Sequence, residues 1–372
     1  MEALAPELVA IAEAFALPGR VTAIAPLGNG NVNDTFHVQV QASLAGQGDG
    51  GPGPQFVLQR LNTQVFPQPQ LVMRNLLVLS NHAQQRPVAG QRWEVPRVIA
   101  NRLTGEPWLE AGGQFWRLLT FVNDAVTVDA ITTAEQAQQV GRGLGLFHAL
   151  ISDLPADQLA DTLPGFHITP AYLAAYDQTL QSTSLQLCDR GQWCRAFVEQ
   201  RRDLAPLLEE AKAAGRLQLR PIHGDPKVNN VMLCASTGIA VSLVDLDTVK
   251  PGLVQYDIGD CLRSACNRLG EEAGDGEGVC FDLELCQAVL QGYLGAARAC
   301  LSAADLDHIF DAARLISFEL GLRFFSDHLA GDAYFRTSRP GHNLDRARVQ
   351  FRLTESIEAQ EAEIRAIVNA LR

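Results

Sequence analysis

Residues 21 to about 121 are patterned as strands and the residues beyond Val122 as helices, and this one-way change of period constrains the fold more than any other feature of the chain. Val21–Pro26 is a short apolar run. The glycine-punctuated segment Leu27-Gly28-Asn29-Gly30-Asn31 follows, and Thr35–Val40 resumes the strand pattern. Phe56–Leu61 and Trp116–Val122 read as further strands, with a helix over 71–79 between them. Leu4, Leu8, Ile11 and Phe15 place an amphipathic helix over 2–16. Gly46–Gln55 carries five Gly and two Pro, a composition suited to an exposed hairpin loop. After Val122, the 3-4-3 spacing of Ala137, Val140, Leu144 and Phe147 marks a buried helix face. Helical patterns return at 281–299, 305–329 and 345–371, interrupted by a β-rich stretch from Arg220 to Asp247. Strands segregated from helices predict an α+β chain of two lobes, a small β-rich lobe over 1–122 and a larger, mainly helical lobe over 123–372.

Composition narrows the function classes. A chain of 372 residues exceeds one ordinary core, in keeping with two lobes. Thirty Lys+Arg against 42 Asp+Glu leave a net charge of −12, which argues against nucleic acid or an anionic membrane as partner, since both need clustered positive charge. No apolar run reaches the ~20 residues of a membrane helix, and Met1-Glu2-Ala3-Leu4 does not resemble a secretory signal. Eight cysteines without a C-x-x-C pair read as reduced thiols. The expectation is a cytoplasmic protein acting on a small molecule, as a monomer or homodimer. The apolar positions of the last helix (Val349, Leu353, Ile357, Ile364, Val368, Leu371) would serve packing against its own lobe or, alternatively, a dimer seam. The acidic stretch Glu271–Gly278 is expected to be solvated, and His148 to be a packing residue.

The chemistry-bearing segment is Pro221-Ile222-His223-Gly224-Asp225-Pro226-Lys227-Val228-Asn229-Asn230, followed after a gap by Leu243-Val244-Asp245-Leu246-Asp247. An Asp on a tight turn can accept the proton of a hydroxyl, and an Asn five residues later can turn its amide oxygen toward a metal. Asp245, at the end of an apolar strand, can complete a Mg²⁺ site. Magnesium takes a few hard oxygen ligands and the phosphates of a nucleotide in preference to a full protein cage. Each residue alone would serve as a turn cap or strand end. Together, Asp225 as base with Asn230 and Asp245 as metal ligands supply what ATP-dependent phosphoryl transfer requires. The β-rich third offers a partner set. Gly28-x-Gly30 lets backbone N–H groups approach phosphates, although the same pair would serve a plain hairpin. Val57-Leu58-Gln59-Arg60 ends a strand in a cation, as the V-A-I-K strand of kinases does; Leu58 and Arg60 share a face, so one could contact adenine and the other phosphates.

On these residues the chain resembles the aminoglycoside-phosphotransferase/choline-kinase group of small-molecule kinases, and within it the bacterial N-acetylhexosamine 1-kinases. The resemblance rests on Gly28-Asn29-Gly30-Asn31-Val32-Asn33-Asp34-Thr35-Phe36, Val57-Leu58-Gln59-Arg60-Leu61-Asn62, His223-Gly224-Asp225 through Asn230, and Val244-Asp245-Leu246-Asp247 running into Tyr256-Asp257-Ile258-Gly259-Asp260. Gly321-Leu322-Arg323-Phe324-Phe325-Ser326-Asp327, Gly331-Asp332-Ala333-Tyr334-Phe335 and His342-Asn343-Leu344-Asp345-Arg346-Ala347 point to the sugar 1-kinase branch. The resemblance implies a bilobal protein-kinase-like fold using ATP and Mg²⁺. Asp225 would be the base, with Lys227 near the γ-phosphate, and Asn230 and Asp245 would hold the metal. Gly28, Gly30, Asn31 and Arg60 would fix the phosphates, and Thr120, Phe121 and Val122 would border the adenine. Arg323 and Tyr334 would contact the acceptor, most simply the anomeric hydroxyl of an N-acetylhexosamine or related sugar. Choline, an amino alcohol or an aminoglycoside is the alternative acceptor class, and a nucleotide-binding pseudokinase a third reading.

Three departures carry expectations of their own. No Asp or Glu occurs between Gly50 and Arg92, so Arg60 has no acidic partner on the following helix; Asn75, or the phosphates alone, would hold it. Asn31 stands where some sugar 1-kinases carry a His near the acetamido group, which leaves room for an unacetylated sugar. Glu319 and Asp327 lie four residues either side of Arg323, so a surface ion-pair trio competes with acceptor binding. Asp257 is expected to anchor the Asp225 loop.

Overall fold

The computed structural model describes residues 6–28, 32–42, 53–88 and 90–372. The described chain forms two compact units, one running to Ala125 and including Gln158–Thr162, the other comprising Val126–Asp157 and Leu163–Arg372.

The first unit is an antiparallel sheet with two helices. Its strands are Gly19–Pro26 (β1), Asp34–Ala42 (β2), Gln55–Leu61 (β3), Val98–Ile99 (β4), Leu109–Ala111 (β5) and Gln114–Thr120 (β6). They are ordered β1-β2-β3-β6-β4, with β5 also paired to β6. The helices are Pro6–Glu13 (α1) and Pro69–Gln84 (α2). Alternation along the strands divides the sheet into two faces. Val38, Val40, Phe56, Leu58, Trp116 and Leu118 pack with Ile11 and Phe15 at the α1 end of the chain. Leu58 is fully buried there, so it is not open to an adenine ring, contrary to the reading from strand period alone. The residues between them in sequence carry a polar ladder: Gln59 donates to Thr35 Oγ1 at 3.0 Å and accepts two N–H bonds from the buried Arg117 at 2.9 and 2.7 Å. On α2, Val72, Met73, Leu76 and Leu79 are buried at helical spacing. Asn75, buried beside them, both donates to and accepts from the Ala160 backbone at 2.8 Å, which ties 158–162 to this unit.

The second unit is mostly helical. After the two-residue strand Ala125–Val126 (β7) come Ala134–Ile151 (α3), Thr169–Ser182 (α4), Asp189–Gln200 (α5) and Leu207–Ala213 (α6). Short strands Arg220–Ile222 (β8), Val231–Cys234 (β9), Ala240–Leu243 (β10) and Lys250–Gly252 (β11) follow. Val254–Ala265 (α7), Leu283–Ala297 (α8), Ala303–Asp307 (α9), Ile309–Leu329 (α10), His342–Ala359 (α11) and Glu361–Ala370 (α12) complete it. α3 begins at an N-cap in which Thr133 accepts the Gln136 N–H at 3.2 Å. Where α3 crosses α8 the backbones nearly touch. A Cβ at Gly141 would lie 1.9 Å from the Val289 carbonyl oxygen, and one at Gly292 1.9 Å from that of Gln138, so only glycine fits either position.

Several expectations change. The helix predicted over 345–371 is two, broken at Gln360; its apolar residues Val349, Leu353, Ile357, Ile364 and Val368 are buried within the chain, while Leu371, just past the second helix, is half-buried. The acidic stretch is mostly exposed, as expected, and its carboxylates also meet cations: Glu271 pairs with Arg263 at 3.3 Å, Asp275 with Arg348 at 3.6 Å, and Glu272 with Arg346 and, at 2.5 Å, with His342. No helix among the described residues is long and apolar enough to cross a membrane. β-rich and helical segments are segregated as the sequence predicted.

Candidate active site

Two antiparallel strand pairs bring the predicted residues together. β8 pairs with β11, with Ile222 opposite Lys250, and β9 pairs with β10, with Val231 opposite Leu243. The segment 223–230 leaves β8 and enters β9, while 244–249 leaves β10 and enters β11. The two segments therefore start and end beside each other and run side by side. Direct bonds join them: the Val244 N–H donates to the Asn230 carbonyl at 2.9 Å, His223 Nε2 to the Val244 carbonyl at 2.9 Å, and Thr248 Oγ1 to the His223 carbonyl at 2.8 Å. Gly224 has φ +90°, and a Cβ there would lie 2.6 Å from the Thr248 carbonyl oxygen. A side chain is excluded both by backbone conformation and by space.

The turn is held from beneath by Asp257 on α7. Its carboxylate accepts the backbone N–H of His223 at 2.7 Å and of Gly224 at 2.8 Å, together with His148 Nε2 at 2.8 Å. His148, on α3, is buried and its Nδ1 meets the Tyr293 hydroxyl at 2.9 Å, the packing role expected of it. Burial would raise the Asp257 carboxyl, but these donors and the two histidines outweigh it and hold the group below the usual carboxylate range. Burial pushes His223 down, and its bonds fit a neutral ring with the proton on Nε2, because Nδ1 accepts the Asp225 N–H at 3.2 Å.

Asp225 stands on this turn with Lys227 Nζ 2.8 Å from its Oδ2. Burial opposes its ionisation, but Lys227 first, then His223 and Arg263, keep it below its ordinary value. The Lys227 ammonium is pushed up, principally by Asp225, against burial and with Asp245 adding to the effect. Lys227 thus sits within electrostatic reach of both carboxylates. Asn230 donates from Nδ2 to the Asp225 carbonyl at 2.7 Å and to Asp225 Oδ2 at 3.3 Å; its Oδ1 accepts no hydrogen bond from any described residue. Asp245 is exposed, in the left-handed region at φ +63°. Among the described residues no three His, Cys, Asp or Glu side chains gather into a metal cage.

Around Arg323, three of the sequence blocks merge. Asp327 does not pair with Arg323. It accepts the backbone N–H groups of Ala333, Tyr334 and Phe335 at 3.0, 2.7 and 2.9 Å, and Asn343 Nδ2 at 2.9 Å; Asn343 Nδ2 also reaches Asp332 at 2.8 Å. Glu319 pairs instead with His167 at 2.9 Å. The competing ion-pair trio is therefore absent. The half-buried Arg323 guanidinium has no carboxylate within ion-pair distance among the described residues; its Cζ lies 5.2, 5.0 and 5.4 Å from the rings of Phe166, Tyr172 and Phe335. Burial would lower its pKa, but Tyr172, Glu319, Tyr334 and Asp225 raise it, so the acceptor candidates and the candidate base share one electrostatic environment. Tyr334 is 58% exposed and packs edge-on against Phe335.

The first unit places the remaining candidates. Arg60 does have an acidic partner: Asp34, directly opposite on β2, accepts from its Nε at 2.7 Å and from a terminal nitrogen, and Arg60 lies 6.0 Å from the Trp116 ring centre. Asn75, the polar substitute considered from the sequence, is occupied by Ala160. Gly28 has φ +68° with open space about it, while Gly30 and Asn31 lie outside the described residues. Thr120 bonds to Arg97 through its N–H and Oγ1 at 2.9 Å, Phe121 lies against the His37 ring at 4.8 Å, and Val122 is buried. Sequence reasoning passed over His167, which bonds the Gly224 carbonyl at 2.7 Å; no motif marks it, because its partners are 57 and 152 positions away.

Known structures share the fold. An aminoglycoside phosphotransferase from Alicyclobacillus acidocaldarius subsp. acidocaldarius DSM 446 is 15% identical, with TM-score 0.62 over 100% of this chain and 98% of that one. A microcompartment-associated aminopropanol kinase is 15% identical, with TM-score 0.64 over 97% and 98%. A spectinomycin phosphotransferase in complex with ADP and spectinomycin is 11% identical, with TM-score 0.52 over 100% and 99%. At these identities the likeness establishes a shared fold. Residues 23–288 also match the model of the phosphotransferase enzyme family abbreviated APH. More than half of the chain lies within that match, and the protein accordingly belongs to the APH phosphotransferase family, whose acceptors are alcohols.

Proposed function

We propose that the protein is an ATP- and Mg²⁺-dependent kinase that phosphorylates a sugar, with the anomeric hydroxyl of an N-acetylhexosamine or related hexose as acceptor. The observation that carries this reading is the Asp225–Lys227–Asn230 constellation. A carboxylate held ionised by an ammonium 2.8 Å away also accepts the Asn230 amide N–H at 3.3 Å, and the oxygen of that amide accepts no hydrogen bond among the described residues.

In this mechanism Asp225 accepts the hydrogen bond of the acceptor hydroxyl and takes its proton as the oxygen bonds to the γ-phosphorus and ADP departs. A depressed carboxyl suits the task, because phosphoryl transfer is loose, the proton moves late, and positioning matters more than basicity. Lys227 balances the Asp225 charge and is placed to meet the γ-phosphate. Asn230 Oδ1 and Asp245 would hold the magnesium, which would draw its other ligands from phosphate and water. When bound it would neutralise phosphate charge. Of the same fold, the spectinomycin phosphotransferase was crystallised with ADP and another phosphotransferase was solved with GDP and kanamycin, which supports a purine nucleotide as donor, ATP in our reading. We further propose the lobe boundary near residue 122, with Gly28, Gly30 and Asn31 toward the phosphates and Thr120–Val122 beside the adenine.

The acceptor class is argued from Arg323. A cationic acceptor needs carboxylates or an unfilled aromatic cage. Here the rings of Phe166, Tyr172 and Phe335 already surround a guanidinium, and that guanidinium would repel an amine while donating to hydroxyl or carbonyl oxygens. Aminoglycosides and amino alcohols are thereby disfavoured, although the aminopropanol kinase shares the fold. Coupled-enzyme measurement of ADP release across hexoses, N-acetylhexosamines, choline and amino alcohols tests the reading. Turnover confined to amine acceptors overturns the sugar assignment, and a protein that binds Mg·ATP but turns over with no acceptor is a pseudokinase.

A further inference from the structure

Each side of the Gly224 peptide turn is held by a different charged group. Its N–H goes to Asp257, and its carbonyl accepts His167 Nε2 at 2.7 Å. His167 is a non-glycine residue in the left-handed region, φ +65°, and its Nδ1 lies 2.9 Å from Glu319 Oε1. A peptide carbonyl and an ionised carboxylate have no proton to give, so both ring nitrogens must donate and the ring is an imidazolium. Thr169 Oγ1 bonds the second Glu319 oxygen at 2.6 Å and orients it toward the ring.

The other groups facing His167 are few. Tyr256 of α7 stacks on it, centroids 5.2 Å apart, and points its hydroxyl to Glu209; Asp260 of the same helix adds negative potential. From α4, Tyr172 reaches the His167 backbone, and from its own loop Phe166 lies against it, with Lys250 bonded to the Phe166 carbonyl at 3.4 Å and Arg323 over the Phe166 ring. Burial works against the charge, but Glu319 outweighs it and the ring's pKa is raised.

We propose that His167 is a positioning residue for phosphoryl transfer, its imidazolium bridging Glu319 and the Gly224 carbonyl so that the Gly224–Asp225 peptide, and with it the Asp225 carboxylate, keeps one orientation. This rests on Asp225 being the base. Loss of the ring proton turns one nitrogen into an acceptor facing an acceptor; one bond becomes a repulsion and the turn relaxes. The consequence is a fall in kcat, not in nucleotide affinity, at alkaline pH.

The test uses the full-length enzyme and two readouts. In ¹⁵N-histidine spectra at neutral pH, the ring that disappears in His167→Asn should carry protons on both nitrogens; Asn suits the left-handed backbone, so the variant should fold. In steady-state kinetics, Glu319→Gln keeps a hydrogen-bond acceptor but removes the charge. Its alkaline kcat limb should move down by about one pH unit or more, with the plateau below it within about threefold of wild type. A neutral His167 ring, or a Glu319→Gln profile superposable on wild type, overturns the proposal. Absence of turnover with every acceptor instead overturns the kinase reading and the positioning role with it, which the superposable profile does not.

Discussion

Asp257 Oδ1 accepts the Gly224 N–H at 2.8 Å, a bond between residues 33 positions apart that decides where the neighbouring Asp225 points. Asp257 is fully buried, and its other oxygen serves His223 N–H and His148. Replacing Asp257 with Ala strands three buried donors at once. Urea denaturation should show a loss of roughly 3 kcal/mol or more, and residual folded protein should have little activity. A loss under 1 kcal/mol would mean that the loop does not depend on this carboxylate.

Gly224→Ala tests the turn from above. The added Cβ meets backbone, the Thr248 carbonyl at 2.6 Å, so no side chain can swing aside. Stability should drop by about 1–3 kcal/mol, and kcat should fall more than the KM for ATP rises, because Asp225 shifts. An unchanged kcat would show that the turn tolerates rearrangement.

Asp225→Asn removes the charge and keeps the shape. The expected loss in kcat is about 10²–10⁴-fold, with ADP affinity by calorimetry nearly unaltered and a modest fall in stability from the lost Lys227 pair. Near wild-type turnover would remove Asp225 from the role of base.

Arg323→Met should raise the acceptor KM about tenfold or more, the size of a lost charged hydrogen bond, while the KM for ATP stays put. If amine acceptors improve as sugars worsen, the guanidinium is the element that excludes cations. By contrast, Arg60→Met should cost under about 1 kcal/mol, since its pair with Asp34 is exposed on both sides. A large loss of ATP affinity in that variant would assign Arg60 to the phosphates despite its partner.

Stability should depend on pH in two opposite senses. Asp225, Asp257 and Glu319 have folded pKa values below their unfolded ones, so the unfolded chain binds more protons in that interval. Their contribution is present above the unfolded carboxyl values near ~4 and is lost as pH falls through the folded values. His167 is raised, so its contribution is complete below the unfolded value of about 6.5 and disappears as pH rises through the folded one. Urea midpoints measured against pH should form a dome, and Glu319→Gln, which removes one depressed carboxyl and the cause of the raised imidazole, should flatten it by lowering the centre more than the alkaline flank.

What could be read from the residues alone was local: the change of period near Val122, the strand–turn–strand about Gly28, and the spacing from His223 to Asn230 with Asp245 beyond. Those signals lie within short windows, where backbone period and side-chain chemistry are tied directly to position. Strand period also placed Leu58 and Arg60 on one face correctly, but not which face was covered; that depends on α1, which buries Leu58 from elsewhere in the chain. Asp34 as the partner of Arg60 followed from strand register, which local sequence does not specify. Asp327 turned from Arg323 to the backbone of 333–335, and Glu319 to His167, because a buried carboxylate goes where the most donors converge, and the chain's long-range path decides that convergence. The sequence by itself thus determined which reactive groups exist and the short turns that carry them. Only the tertiary structure decided which charges neutralise one another, since ion pairing and burial depend on distances between segments up to 157 residues apart.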